Sequence, residues 1–182
     1  MEIEIRAKVN NLETIKQKVI NLGGELIKKT KQIDEYFGEM NLYEKIGYSF
    51  LMRVREENDK KYITYKGAKK REDGVWEEYE FKIDDKEKAI SMFFDMGLEK
   101  VIKVMKYREE YKLNNLSICL DKIENLGNFV EIESLNDNDE GKERLNKMME
   151  ELAIDQNQII HKGYVTMLLL KSNSPFAKYI IN

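Results

Sequence analysis

Glutamate recurs in Glu-x-Glu pairs at Glu2/Glu4, Glu78/Glu80 and Glu131/Glu133. Each pair lies in a stretch that alternates charged with apolar residues. Side chains on a β-strand alternate faces with a period of two, so each pair sets two carboxylates on one face. Basic pairs follow the same spacing at Arg6/Lys8, Arg53/Arg55 and Lys106/Arg108. Carboxylate oxygens suit a hard cation such as Mg2+ or Mn2+; guanidinium and ammonium groups suit phosphate oxygens. Matched rows of both kinds can hold a divalent metal and a polyphosphate in one place. The chain has neither Gly-x-x-x-x-Gly-Lys-Ser/Thr nor Gly-x-Gly-x-x-Gly, which argues against a helix-based phosphate cradle.

The elements that must position these residues follow from periodicity. Glu2 to Val9 reads as a strand with Glu2, Glu4, Arg6 and Lys8 opposite Ile3, Ile5, Ala7 and Val9. Asn11 to Leu22 reads as a helix, with Leu12, Ile15, Val19 and Leu22 on one stripe, Asn11 as N-cap and Gly23-Gly24 as stop. Glu25 to Thr30 and Lys31 to Phe37 read as two short strands. Ser49 to Glu56, Lys61 to Lys66 and Val75 to Ile83 alternate again, with a turn at Asn58-Asp59 and a charged loop over Gly67 to Gly74. A second helix is expected over Asp84 to Met96, its stripe Ala89, Met92, Phe93 and Met96. Lys103 to Leu113, Leu116 to Ile123 and Phe129 to Ser134 read as further strands. Asp139 to Leu152 and Tyr164 to Lys171 read as helices, before an irregular tail over 172–182.

About eight strands with short connections indicate one mostly antiparallel sheet and a single α+β domain, mostly β, over 1–182. The charged faces are nearly pure, and three long helices are too few to cover both sides of an open eight-stranded sheet. A closed antiparallel eight-stranded β-barrel with flanking helices and a charged lumen removes the edges and gives the charges a common ligand. Such a lumen needs partners or ions for its buried charges.

The balance of 31 basic against 34 acidic residues gives a net charge of −3, which speaks against nucleic acid as the main partner. The single cysteine, Cys119, forms no internal disulfide and fits a cytoplasmic location. The apolar run Tyr164 to Leu170 is too short to span a bilayer, so no membrane association is expected.

The ordered set Glu2-Ile3-Glu4-Ile5-Arg6, Asp34-Glu35-Tyr36-Phe37, Arg53-Val54-Arg55, Thr64-Tyr65-Lys66-Gly67, Glu78-Tyr79-Glu80, Lys106-Tyr107-Arg108, Leu120-Asp121, Leu126-Gly127-Asn128-Phe129-Val130-Glu131-Ile132-Glu133 and Gly163-Tyr164-Val165 resembles the CYTH superfamily of triphosphate tunnel enzymes. Its class IV adenylyl cyclase branch is the most similar. The resemblance covers the chain to about Leu170. It implies Mg2+ or Mn2+ held by Glu2, Glu4, Asp121, Glu131 and Glu133. It implies phosphate contacts from Arg53, Arg55, Lys66, Lys82, Lys106, Arg108 and Lys162, with Glu78 and Glu80 pairing with these cations or touching the base. Arg6 stands where the signature has lysine; the charge is kept but not the ability to titrate. Lys8 is then the nearest acid–base candidate, and Arg6 and Lys8 are the catalytic pair to test. The implied activity is conversion of ATP to cyclic AMP and pyrophosphate by a homodimer. Hydrolysis of inorganic or thiamine triphosphate, and non-catalytic polyphosphate or nucleotide binding, are the alternatives.

Overall fold

The computed structural model describes residues 3–46, 50–67, 77–134 and 139–180, with Glu77, Asp139 and Ile180 described by backbone alone. Eight strands appear: β1 (Ile3–Val9), β2 (Glu25–Gly38), β3 (Phe50–Glu57), β4 (Lys60–Gly67), β5 (Glu77–Ile83), β6 (Glu99–Leu113), β7 (Leu116–Ile123) and β8 (Gly127–Ser134). Six helices accompany them: α1 (Leu12–Asn21), α2 (Met40–Ile46), α3 (Lys86–Asp95), α4 (Asp139–Glu151), α5 (Tyr164–Lys171) and α6 (Ala177–Ile180). The strands form one sheet in the order β1-β8-β7-β6-β2-β3-β4-β5, and the ladders of β1 with β8, β8 with β7, β7 with β6, β2 with β3, β3 with β4 and β4 with β5 are antiparallel. Strand number and pairing sense match expectation. Hydrogen-bonded closure does not: β1 and β5 end the order, and no ladder joins them among the described residues. No helix among those residues is long and apolar enough to cross a membrane.

Two compact units make up the chain, residues 1–31 with 106–163 and residues 32–105 with 164–182. The first packs the apolar faces of its strands under α1 and α4. Ala7, Val9, Ile118, Leu120, Val130 and Ile132 meet Ile15 and Val19 of α1 and Leu145, Met148, Met149 and Leu152 from α4 and its end. Asn11 caps α1, its side chain accepting from the backbone N–H of Glu13 and Thr14. The second unit packs Phe37, Val54 and Ile63 against Ala89 and Phe93 of α3, with the Phe37 and Phe93 rings edge to face at 5.4 Å. Asp85 caps α3, and Gly97 (φ 81°) closes it in the left-handed region that glycine adopts without strain.

Several expectations change. β2 is one strand of 14 residues, because nothing between Thr30 and Lys31 interrupts the alternation. On α3 Ala89 and Phe93 are buried and Ile90 packs against the same cluster, while Met92 and the C-cap Met96 are exposed. α2 has only seven residues and little intrinsic signal. It is anchored by the Glu39 carboxylate, which accepts from the backbone N–H of Asn41 and Leu42, and by Tyr43, which is buried and donates to the Phe50 carbonyl. The tail is not wholly irregular, since α6 follows the buried Phe176. Of the charged loop, residues 68–74 lie outside the described residues.

Parity on β2 sends Glu35 to the α3 side, where it pairs with Lys86 at 2.7 Å and with Lys100. Burial alone would raise the Glu35 pKa; the hydrogen bonds from Lys100 and Lys86 outweigh it, and the carboxyl sits below its ordinary range. Glu35 therefore adds stability above the unfolded carboxyl pKa of about 4.3, and loses it as pH falls through the lower native value. Glu35→Gln should lower stability at neutral pH by about 1–3 kcal/mol and flatten the acid limb of stability against pH, measured by urea unfolding from pH 3 to 7. Phe93→Ala should cost about 3–5 kcal/mol independent of pH.

Candidate functional site

In the first unit, β1 and β8 set Glu4 opposite Glu133 and Arg6 opposite Glu131. β7 sets Cys119 opposite Glu131, and β6 sets Arg108 opposite Asp121. Directly opposed residues project to the same face, so the charged rows of β1, β8, β7 and β6 become one surface while their apolar rows make the core. One carboxylate oxygen from each of Glu4, Glu131 and Glu133 lies within 4.8 Å of the others. These are hard oxygen donors, and the set fits a divalent cation such as Mg2+ or Mn2+.

Two arginines surround this group. Arg6 donates from Nε (2.8 Å) and Nη2 (2.5 Å) to Oε2 of Glu131, and from Nη2 to Glu4 (2.8 Å). Arg108 takes the other Glu131 oxygen at 2.7 Å and grips both oxygens of Asp121 at 2.7 and 2.6 Å. Asp121 is fully buried and Glu131 is 4% exposed. Burial alone would push Glu131 up, but the charges of Arg108, Arg6 and Lys106 prevail and hold the carboxyl well below its usual range. Cys119 on the same face is pushed up to about 12, chiefly by burial.

The segment after α4 closes against this strand. The Ile160 N–H donates to the Arg6 carbonyl at 2.8 Å, and Arg6 Nη1 donates to the Lys162 carbonyl at 3.3 Å. Lys162 thus reaches Arg6 by its backbone, while its side chain is exposed. Lys106 is buried. Lys8 is exposed, its ammonium 6.0 Å from the centre of the Phe129 ring. Glu2 lies outside the described residues.

The second unit builds its own charged face. Register places Arg53 opposite Tyr36 and Thr64, Arg55 opposite Asp34 and Tyr62, Glu80 opposite Thr64, Glu78 opposite Lys66, and Lys82 opposite Tyr62. Arg53, 4% exposed, donates to Thr64 (3.1 and 2.8 Å), Glu78 (3.1 Å) and Glu80 (2.8 Å). Lys66 pairs with Glu78 at 2.8 Å. Burial would raise Glu78; the charges of Lys66, Arg53 and Arg55 lower it overall. Lys82 is exposed. Arg55 is gripped by both oxygens of Asp34 at 2.7 and 2.6 Å.

Glu78 and Glu80 therefore both pair with Arg53, and Glu78 also with Lys66. Asp34, Tyr36 and Thr64 were absent from the expected site. Tyr36 and Phe37 share a motif with Asp34 and Glu35, but register alone shows which acid joins the arginines. Asp34 does; Glu35 faces α3.

The CYTH domain model matches residues 1–164. A Methanocaldococcus jannaschii protein, provisionally named an adenylate cyclase, is 32% identical over 172 residues, covering 92% of this chain and 98% of the relative. Among solved structures, a Pyrococcus horikoshii protein superposes with a TM-score of 0.78 at 33% identity, covering 91% of this chain and 98% of its own. A Hippeastrum protein, provisionally called an adenylyl cyclase and described as having a dominant triphosphatase activity, superposes at 0.67 with 18% identity, covering 95% and 96%; that likeness shows the fold alone.

The unequal burial of the carboxylates sets their mutational costs. Glu131→Ala leaves Arg6 and Arg108 facing each other without their shared anion and should cost about 3–5 kcal/mol in urea unfolding. Glu78→Ala should cost under about 1 kcal/mol, because its carboxylate is 41% exposed and Arg53 keeps Glu80 and Thr64.

Proposed function

We propose that this chain, which belongs to the CYTH family, is a class IV-type adenylyl cyclase. Enzymes of the family depend on a divalent metal and act on triphosphates. The observation that supports the reading best is the convergence of Glu4, Glu131 and Glu133 oxygens within 4.8 Å, beside Arg6 and Arg108.

In this reading Glu4, Glu131 and Glu133 hold Mg2+ or Mn2+. Glu2, outside the described residues, is kept as a metal candidate from the resemblance alone, and Asp121 joins through Arg108. The cation supplies positive charge to phosphate oxygens and to the attacking oxygen. Lys106, Arg108 and Lys162 are the phosphate-binding candidates of the first unit; Arg53, Arg55, Lys66 and Lys82 are those of the second, and side chains of this kind offset the charge that grows on a leaving phosphate. The ribose 3′-oxygen bonds to the α-phosphorus, the bond from that phosphorus to the bridging oxygen breaks, and pyrophosphate departs. Arg6 stays protonated and takes no proton from the ribose; it orients Glu131 and Glu4 instead. Lys8, next on the same strand face, is the acid–base candidate and would receive the 3′ proton only as its free amine; otherwise the proton leaves to solvent water. Glu78 and Glu80 fix Arg53. We read the two units as one domain, acting in the cytoplasm as a homodimer, with neither nucleic acid nor membrane as partner.

A second reading rests on Arg6. With arginine where the family signature has lysine, the same residues serve a triphosphatase that adds water to a terminal phosphate of inorganic or thiamine triphosphate, or a binding module without turnover. Product analysis separates the three. Incubated with ATP and Mn2+ or Mg2+, the purified protein should release cyclic AMP and pyrophosphate in equal amounts. Orthophosphate without a cyclic product means triphosphatase, and binding without turnover means a module. Glu4→Ala and Glu133→Ala should each abolish metal-dependent turnover while circular dichroism stays native; full activity in both removes the metal assignment.

A further inference from the structure

We propose that Asp34 is a positioning residue that aims the Arg55 guanidinium at substrate phosphate, an inference that rests on the phosphate-binding role assigned above to Arg55. Four features of the second unit support it. Asp34 is 2% exposed, a burial that an ionised carboxylate tolerates only with a charged, hydrogen-bonded partner. It stands directly opposite Arg55 on the neighbouring strand, so the backbone ladder sets the separation of the pair. Both its oxygens engage the guanidinium, Oδ1 with Nε at 2.7 Å and Oδ2 with Nη2 at 2.6 Å. This two-point grip fixes the plane of the fork as well as its position. Tyr36, two residues along the same strand face, is buried and its hydroxyl donates to Asp34 Oδ2 at 3.4 Å.

The alternative role for a buried Asp–Arg pair is structural. Three details favour aiming. Arg53, the next arginine on the strand, is tied to Thr64 and to the two half-exposed carboxylates Glu78 and Glu80, whereas Arg55 is held by the buried Asp34 and keeps part of its own side chain exposed. The pair joins a charged face and not the apolar core, whose members Phe37 and Val54 point the other way. The same cross-strand grip holds Arg108 through Asp121 in the first unit, so both charged faces set an arginine by an aspartate one strand away. A guanidinium whose plane is fixed before binding loses less side-chain freedom on meeting phosphate.

Inorganic tripolyphosphate binding, measured by titration calorimetry on the full chain, provides the test, with wild type, Asp34→Asn, Asp34→Glu, Arg55→Gln and the Asp34→Asn/Arg55→Gln double variant. Asp34→Asn should weaken binding about ten- to hundredfold, Arg55→Gln at least as much, and the double variant no more than Arg55→Gln alone, because Asp34 acts only through Arg55. Asp34→Glu keeps the buried charge pair and its stability but displaces the fork, and should weaken binding while thermal melting stays near wild type; this variant carries the test if Asp34→Asn fails to fold. Wild-type affinity in Arg55→Gln overturns the phosphate role of Arg55 itself. Weakened binding in Arg55→Gln, combined with wild-type affinity in Asp34→Glu or with additive losses in the double variant, overturns the positioning role alone.

Discussion

A carboxylate deprived of water needs a cation, and this requirement organises both charged faces. Glu131 is the clearest case. Its two oxygens are divided between Arg6 and Arg108, and Arg108 in turn takes both oxygens of the fully buried Asp121. The group is a chain of alternating charge across β1, β8, β7 and β6. Removing Glu131 takes a shared anion from both arginines, although Arg6 keeps Glu4 and Arg108 keeps Asp121. Glu4 and Glu133 stand at its more accessible end, where a further cation can be shared.

The period of two along each strand makes that arrangement affordable. Every residue placed on a charged face sends its neighbours to the other, and the second row is apolar: Ile3, Ile5, Ala7 and Val9 on β1, Ile118 and Leu120 on β7, Val130 and Ile132 on β8. Those rows form the sheet side of the first unit's core, and α1 and α4 cover them. α3 does the same for Phe37, Val54 and Ile63. Helix placement and charge placement are two consequences of one alternation, and a one-residue slip in register would reverse both.

The two units answer the charge problem differently. In the first, acids outnumber the space between two arginines and converge. In the second, Arg53 gathers Thr64, Glu78 and Glu80, while Asp34 holds Arg55. The first arrangement suits a metal-binding carboxylate group; the second suits basic side chains held ready for an anion.

Much of this was legible in the residues alone. The faces of β1, β3, β4, β7 and β8 and the N-cap Asn11 follow from local spacing, because parity and capping depend on near neighbours in the chain. The turn at Asn58, which takes the left-handed region, is equally local, since asparagine tolerates that backbone. The single long β2, the short helix α2 and the exposure of Met92 and Met96 were not legible, because each depends on what packs from elsewhere. The site shows the same division. Sequence determined that Glu4, Arg6, Glu131 and Glu133 lie on charged faces, through the two-residue period. Tertiary structure alone decided that Glu131 falls between Arg6 and Arg108, and that Asp34 and not Glu35 meets Arg55. Register between strands far apart in sequence is set by the burial of whole apolar rows, a long-range quantity that no local pattern contains.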